Sequence, residues 1–310
     1  MKKQSEASWA HRAEAMLVRA LLAFLRKLPP RAASNLGGNI TKTLGPYLPV
    51  SRVADMNLRL AMPKLTSRQR QQIIREVWEN LGRTVAEFPH IPSLQKNTPS
   101  GPGWLVEGDE TLRELAAKGG PVIFFSGHIG NWEMLPPAVA SYGMAFASFY
   151  RAAGNPLVDR IIGDLRRRAI GVDVPMFAKG AQGARSALRH IAQGGHLGVL
   201  GDQKMNDGIE ARLFGHPAMS ASATAAFALK HNCPIVAGRI ERIGPARLKL
   251  IVEPAIIPEN TGDRQADILR LTQRLNDQIE TWVRAKPGSW LWLHRRWPKE
   301  LTRSHVEKMH

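Results

Sequence analysis

A histidine and a glutamate lie close together in the glycine-containing segment of residues 126–133. Side chains of these two types can together deprotonate an alcohol. If His128 and Glu133 both lay on one helix, their spacing would separate them by roughly 500° of rotation. They can meet if His128 lies on a turn, which Gly127 and Gly130 favour, and Glu133 lies in the first helical turn. A carboxylate bound to one imidazole nitrogen raises the basicity of the other. We therefore predict His128 as a general base and Glu133 as its orienting partner.

The sequence shows no nucleophile of its own beside this pair. There is no Gly-x-Ser-x-Gly motif, and the single cysteine, Cys233, lies in a distant apolar run where we expect it to be buried. A hydroxyl activated by His128 can attack an activated acyl group directly, so acyl transfer needs no enzyme nucleophile. With water in place of the alcohol the same pair would serve a hydrolase. Taken alone, it would also fit a structural histidine beside a helix-capping acid.

Alternating strands and helices are predicted to position this segment. From about Trp104 onward, short apolar runs alternate with helical stretches, which predicts an α/β fold with a largely parallel sheet flanked by helices. One such strand, at residues 121–125, ends just before His128. In sheets of this kind, the chemistry collects at the carboxyl ends of the strands.

The same argument selects further residues that directly follow predicted strands. Arg151 comes after one strand, and Asp202 and Gln203 come after another. A guanidinium beside the site can hold a phosphate of a substrate. We predict all three as substrate-binding residues, whereas the charge run at residues 166–168 is interpreted as a solvated or carrier-docking face.

Residues 1–100 are predicted to form a helical, membrane-associating region, and residues 101–310 a catalytic α/β domain. An apolar stripe runs along residues 13–28, but arginines interrupt it, so we do not expect it to span a bilayer. The pattern suits a helix lying in the headgroup layer of an anionic membrane, and it fits equally a helix packed on its own domain. No secretory signal is predicted.

The carboxyl-terminal region combines tryptophans with arginines. Trp290, Trp292 and Trp297 form either a belt at a membrane interface or a buried cap on the fold. Under the first interpretation Arg295 and Arg296 would contact lipid phosphates, and we predict both as substrate-binding residues.

The net charge of +17, with a pI near 10.6, makes polyanions the expected partners. No helix-turn-helix, zinc-finger or RNA-binding signature is present, so we expect no nucleic acid partner. A non-catalytic basic protein that binds membranes or nucleic acid remains an alternative of a different class. It explains the charge but not the ordered motifs.

The segment Gly-His-x-Gly-Asn-Trp-Glu resembles the motif of the bacterial lipid A biosynthesis acyltransferases, the late lauroyl/myristoyl transferases of lipopolysaccharide assembly. These belong to the larger group of glycerolipid-type acyltransferases with a histidine-x4-acid motif. The resemblance extends from about residue 57 to residue 298. It includes residues 57–61, 80–83, 150–151, 155–156, 202–203, 214–218 and 290–297.

The resemblance implies a membrane-associated, glycerolipid acyltransferase-like fold with acyl carrier protein thioester as donor. The implied acceptor is a 3-hydroxyacyl hydroxyl on an anionic lipid A precursor, and no metal or redox cofactor is implied. We add Asn131, within the motif, to the predicted substrate-binding residues. The implied location is the cytoplasmic face of the cell inner membrane, with peripheral or monotopic attachment. Another glycolipid acceptor, such as a phosphatidylinositol mannoside, is the alternative.

Overall fold

Helices make up the amino-terminal part of the computed structural model, which describes residues 8–98 and 100–302. The first four are α1 (Trp9–Lys27), α2 (Pro30–Leu44), α3 (Ser51–Ala61) and α4 (Ser67–Glu87). Helix α4 begins with a capping box, in which Thr66 and Gln69 bind each other's backbone N–H groups. Pro89 stands just beyond its end, where a turn of 3-10 helix follows.

A largely parallel sheet forms the centre of the molecule, as predicted. Its strands, together with a separate hairpin, are β1 (Gln95–Lys96), β2 (Gly103–Glu107), β3 (Ile123–Ser126), β4 (Phe146–Tyr150), β5 (Met176–Ala178), β6 (His196–Leu200), β7 (Ile209–Leu213), β8 (His216–Ser220), β9 (Ile235–Gly244) and β10 (Arg247–Val252). The eight-stranded sheet has the order β1-β2-β10-β9-β3-β6-β4-β5. Within this sheet every neighbouring pair of strands is parallel except the pair β9 and β10, which is antiparallel. The hairpin β7–β8 is antiparallel and was not predicted.

Helices cover both faces of the sheet. They are α5 (Asp109–Lys118), α6 (Leu135–Ala140), α7 (Pro156–Ile170), α8 (Ala181–Ala192), α9 (Ala223–His231) and α10 (Arg264–Ala285). Helices α3, α4 and α10 share one hydrophobic cluster with the central strands, whereas α5 and α6 belong to the cluster on the other face. The change from helices to strands near residue 100 therefore does not separate two cores. Cys233 lies in the first cluster and is buried, as expected.

One side of helix α1 packs against the protein, and another side of the helix exposes apolar residues to solvent. Only Ala15 and Leu25 of this helix are buried. Its exposed apolar side chains are Trp9, Met16, Leu17, Leu21 and Phe24. In the part of the chain that the structure describes, no helix has both the length and the apolar character that crossing a bilayer requires.

Candidate active site

The predicted base lies at the carboxyl edge of the sheet, beside an aspartate from the neighbouring strand. Strands β3 and β6 are parallel, and Ser126 pairs with Leu200 at their ends. His128 and Asp202 each follow two residues later, so the register brings them together. The His128 Nδ1 lies 2.8 Å from Asp202 Oδ1, and the His128 backbone N–H donates to Oδ2 over 2.9 Å.

Asp202 is held as an ionised carboxylate inside the protein. It is 1% exposed, and its Oδ2 also accepts a hydrogen bond of 2.7 Å from the indole N–H of Trp290. Burial alone would raise the pKa of Asp202, but the charge and hydrogen bonds of His128 outweigh it and hold that pKa well below its usual range. An ionised carboxylate only accepts hydrogen bonds, so Nδ1 of His128 carries the proton.

The other ring nitrogen of His128, Nε2, carries a lone pair whenever the imidazole is neutral. It makes no hydrogen bond to any residue within the described ranges, and the side chain is 16% exposed. The Trp132 ring packs edge-on against the imidazole with the two ring centroids 5.1 Å apart. A proton acceptor of this kind, oriented from behind by a buried carboxylate, is the arrangement that a general base requires.

Glu133 does not orient His128, which corrects the prediction. Both of its carboxylate oxygens accept hydrogen bonds from Arg166 on α7, at 2.6 Å and 2.9 Å. The two side chains are 11% and 31% exposed. Glu133 lies in a turn of 3-10 helix at Trp132–Met134, and from there it faces α7 rather than the strand end.

Arg166 was interpreted as part of a solvated or carrier-docking face, but its guanidinium is bound to Glu133 and not simply solvated. Burial by itself would lower the pKa of Arg166, but the hydrogen bond and charge of Glu133 raise it overall. Its neighbour Arg167 binds Asp164 within α7, and Arg168 is exposed. The acid of the motif thus fixes the turn against α7 through a bidentate pair.

Gly130 allows the chain to leave β3 sharply. Its φ is +60°, and a Cβ there would lie 1.8 Å from the carbonyl oxygen of Ile240. Its own carbonyl accepts from Asn80 over 2.9 Å, and its N–H donates to the Ser289 carbonyl over 2.9 Å. The turn that carries His128 is therefore held from α4 on one side and from the carboxyl-terminal segment on the other.

Asn131 was predicted to bind substrate, but the structure places it inside the protein. It is wholly buried, and its Nδ2 donates to Glu87 Oε2 over 2.8 Å. Glu87 in turn binds Arg242 and accepts from the Ala246 backbone N–H over 3.0 Å. Through this buried network Asn131 ties the turn to α4.

Arg296 is likewise structural in this fold, which corrects a second predicted binding residue. It is fully buried and donates to the Met219 carbonyl over 2.9 Å and to Ser220 Oγ over 2.8 Å. Burial lowers the pKa of Arg296 to about 10. Trp290, Trp292 and Trp297 are also buried, so they form a cap on the fold and not an interfacial belt.

Three predicted binding residues lie where a substrate can reach them. Arg151 is exposed directly after β4, and Arg295 is exposed beside the buried Arg296. Gln203 is partly exposed next to Asp202, and its Oε1 accepts from Lys179 over 3.0 Å. Their roles stay predictions.

Sequence reasoning missed the residues that reach the site from distant parts of the chain. Trp290 was assigned to a membrane belt or a cap, not to Asp202. His294 has its ring centroid 6.3 Å from that of His128, and neither of its ring nitrogens has a hydrogen-bond partner among the described residues. Asn57 of α3 holds this segment by donating to the carbonyls of Trp292 and His294, over 2.9 Å and 2.8 Å. The motif at residues 290–297 was the signal in the sequence that could have placed this segment at the site.

The comparisons with known proteins point to one family. The family model for bacterial lipid A biosynthesis acyltransferases matches residues 1–299. The chain belongs to this family. It is similar to the lipid A biosynthesis acyltransferase 1 of Shigella flexneri, with 25% identity over 252 residues, 78% of this chain and 73% of that protein. It is also similar to the lipid A biosynthesis myristoyltransferase of Escherichia coli strain K12, with 24% identity over 250 residues, 78% of this chain and 73% of that protein.

The chain is accordingly an enzyme, an acyltransferase of lipid A biosynthesis. This excludes the alternative of a non-catalytic basic binding protein. In the acyltransferase, the histidine of the motif is the residue with a free ring nitrogen at the edge of the sheet, and its acid is bound to α7.

Proposed function

We propose that this acyltransferase transfers a fatty acyl chain from acyl carrier protein to a 3-hydroxyacyl hydroxyl of a lipid A precursor. His128 is the general base, and Asp202 orients it. The observation that carries the proposal is the contact of His128 Nδ1 with the buried carboxylate, which leaves Nε2 open to a substrate. The acyl groups in the names of the relatives support the same class of transfer.

The step balances without an enzyme nucleophile. His128 Nε2 takes the proton of the acceptor hydroxyl while its oxygen attacks the thioester carbonyl. The tetrahedral intermediate collapses with cleavage of the carbon–sulfur bond, and the imidazolium returns the proton to the leaving thiolate. An ester and a free thiol result. As proposed, the reaction calls for no metal ion or redox cofactor, because the imidazole supplies the base and the thioester the leaving group.

Two nearby N–H groups are not available to stabilise the oxyanion. The backbone N–H of His128 donates to Asp202, and that of Gly130 donates to the Ser289 carbonyl. The charge on the intermediate must therefore be stabilised by other donors or by a cation. Arg151 and Gln203, which follow neighbouring strands at the same edge, are the candidates for contacts to donor or acceptor.

The proposed place of action is the cytoplasmic face of the inner membrane, with peripheral or monotopic attachment. The acceptor is a membrane lipid, and α1 presents exposed apolar side chains, including Trp9 and Phe24, next to arginines. Such a helix lies in the headgroup layer of an anionic bilayer. The net charge of +17 adds attraction to the surface.

The experiment is transfer of a labelled acyl chain from acyl carrier protein to purified lipid A precursor in detergent. We expect transfer by the wild type and a loss of at least about a hundredfold for His128→Ala. His231→Ala, which removes a histidine at the end of α9, serves as the matched control and should keep wild-type activity. Transfer by the His128 variant at the wild-type rate would refute the assignment of the base. Activity with another glycolipid, such as a phosphatidylinositol mannoside, but not with lipid A precursor would refute the acceptor.

A further inference from the structure

A groove runs between α1 and α7, away from the catalytic residues. It consists of two adjoining cavities of about 550 Å³ and 450 Å³. Arg26, Pro89, Leu165 and Arg168 line both of them, so the two form one continuous depression. His128 and Asp202 line neither cavity.

Two anchors keep α1 and its surroundings in place around this groove. Near the amino end of α1, Asn155 Nδ2 donates to the His11 carbonyl and to Glu14 Oε2, each over 2.8 Å. Near its carboxyl end, His90 Nε2 contacts the Leu25 carbonyl at 3.0 Å. The groove between the anchors is thus formed before any ligand arrives, which lowers the entropic cost of binding.

The floor of the groove is apolar and its rim is cationic. Leu22 of α1, Ile161 and Leu165 of α7 and the buried Pro89 supply the floor, and the exposed Ala23 lines its edge. The cations of the rim are Arg19, Arg26, Lys27 and Arg168.

None of these four cations forms an ion pair with a residue that the structure describes. Asp164 is the one carboxylate among the described residues that lines the groove, and it binds Arg167. The rim therefore has an excess of positive charge that no residue of the described ranges neutralises. An anion above an apolar floor would satisfy both parts of the groove.

The groove opens toward the exposed apolar face of α1. Met16 is 60% exposed and lies two helical turns before Ala23 on the same stripe of the helix. Leu17 and Phe24 form the adjoining stripe and are 72% and 50% exposed. A molecule whose charged part meets the arginines can therefore continue along an apolar surface, which a small soluble anion does not do.

The geometry points to this groove as a binding site for one anionic phospholipid of the surrounding bilayer, bound by its phosphate at Arg26 and Arg168 and by its acyl chains over the floor. The lipid is not consumed there, because the base and its aspartate lie elsewhere. Helix α7 connects the groove to the catalytic motif, since Arg166 stands between the groove residues Leu165 and Arg168 and binds Glu133. A lipid in the groove seats the acyltransferase against the headgroup layer.

The test measures binding of dioctanoyl phosphatidylglycerol, below the concentration at which it forms micelles, to the full-length protein by native mass spectrometry. Dioctanoyl phosphatidylcholine and inorganic phosphate are the comparison ligands. We expect one phosphatidylglycerol to bind, with phosphatidylcholine and phosphate at least about tenfold weaker. Removal of two cations, in Arg26→Gln/Arg168→Gln, should weaken phosphatidylglycerol about thirtyfold.

A matched variant separates the groove from the general basic surface. Arg68→Gln/Arg75→Gln removes the same charge from exposed positions on α4 and should change binding by less than about threefold. Ala23→Trp places a bulky ring over the apolar floor and should abolish phosphatidylglycerol binding with an unchanged circular dichroism spectrum. Equal losses in the two double variants, equal binding of phosphatidylcholine, or equal binding of inorganic phosphate would each overturn the proposal. No acyl donor is involved, so the result is independent of the proposed transfer reaction.

Discussion

Substitution of Asp202 by asparagine tests how the base is oriented. In the wild type, the backbone N–H of His128 and the indole N–H of Trp290 both donate to Oδ2, at 2.9 Å and 2.7 Å. In the variant, the amide oxygen must take this position, because the NH2 group cannot accept from two donors. The NH2 group then faces His128 Nδ1, where the wild type has a carboxylate oxygen at 2.8 Å.

An amide donor at Nδ1 reverses the tautomer of His128. The proton moves to Nε2, and the nitrogen that should accept the substrate proton no longer has a lone pair. The same replacement of a ring-orienting carboxylate in a serine protease lowers kcat by about ten-thousandfold. We expect Asp202→Asn to lower kcat by about a thousandfold to ten-thousandfold, equivalent to roughly 4–5.5 kcal/mol of transition-state stabilisation.

The assay is initial-rate acyl transfer at several acceptor concentrations, so that kcat and KM are separated. Asp202 is 1% exposed, and an effect confined to kcat is therefore expected. A raised acceptor KM with kcat unchanged would mean that Asp202 binds the acceptor, as its position in the sequence had suggested, and would refute the reasoning. Asp267→Asn removes another buried carboxylate, one bound to Thr261 and Arg270, and should leave kcat within about threefold of wild type.

The remaining predictions concern the turn that carries His128 and the carboxylate that binds it. Glu133→Gln and Arg166→Gln should each lower the free energy of unfolding by about 1–3 kcal/mol, measured by urea unfolding. Because the two residues share one interaction, the double variant should lose no more stability than the less stable single variant. Additive losses would contradict the pair. Gly130→Ala should lower the melting temperature and activity together, since its Cβ would meet the Ile240 carbonyl, and an unchanged melting temperature would contradict that clash. The folded-state pKa of Asp202 is lower than its unfolded value near 3.9, so its ionised form stabilises the fold fully above about pH 4 and less as the pH falls toward the folded value. Urea unfolding at pH 5 and pH 3 should therefore show a larger loss for wild type than for Asp202→Asn; equal losses would contradict the lowered pKa.

Local signals predicted those parts of the fold that depend on neighbours in sequence. The start of α4 follows from Thr66 and Gln69 alone, since the capping box is complete within four residues. The hairpin β7–β8 does not, because its turn contains Phe214 with φ +52° in place of the usual asparagine or glycine. Phe214 is buried against Trp292 and Trp297, with ring centroids 5.9 Å and 6.2 Å away. Distant contacts thus stabilise a turn that the local sequence disfavours.

The partner of His128 was missed for a related reason, although Asp202 itself was selected. The sequence shows that each residue follows a strand, but it does not show that these two strands are neighbours. Once β3 and β6 are paired with Ser126 opposite Leu200, parallel strands carry the next residues in step, and positions 128 and 202 must face each other. The acid of the histidine motif is then free for another purpose. Glu133 holds the turn to α7, and the strand pairing, not the five-residue spacing, brings a carboxylate to the base.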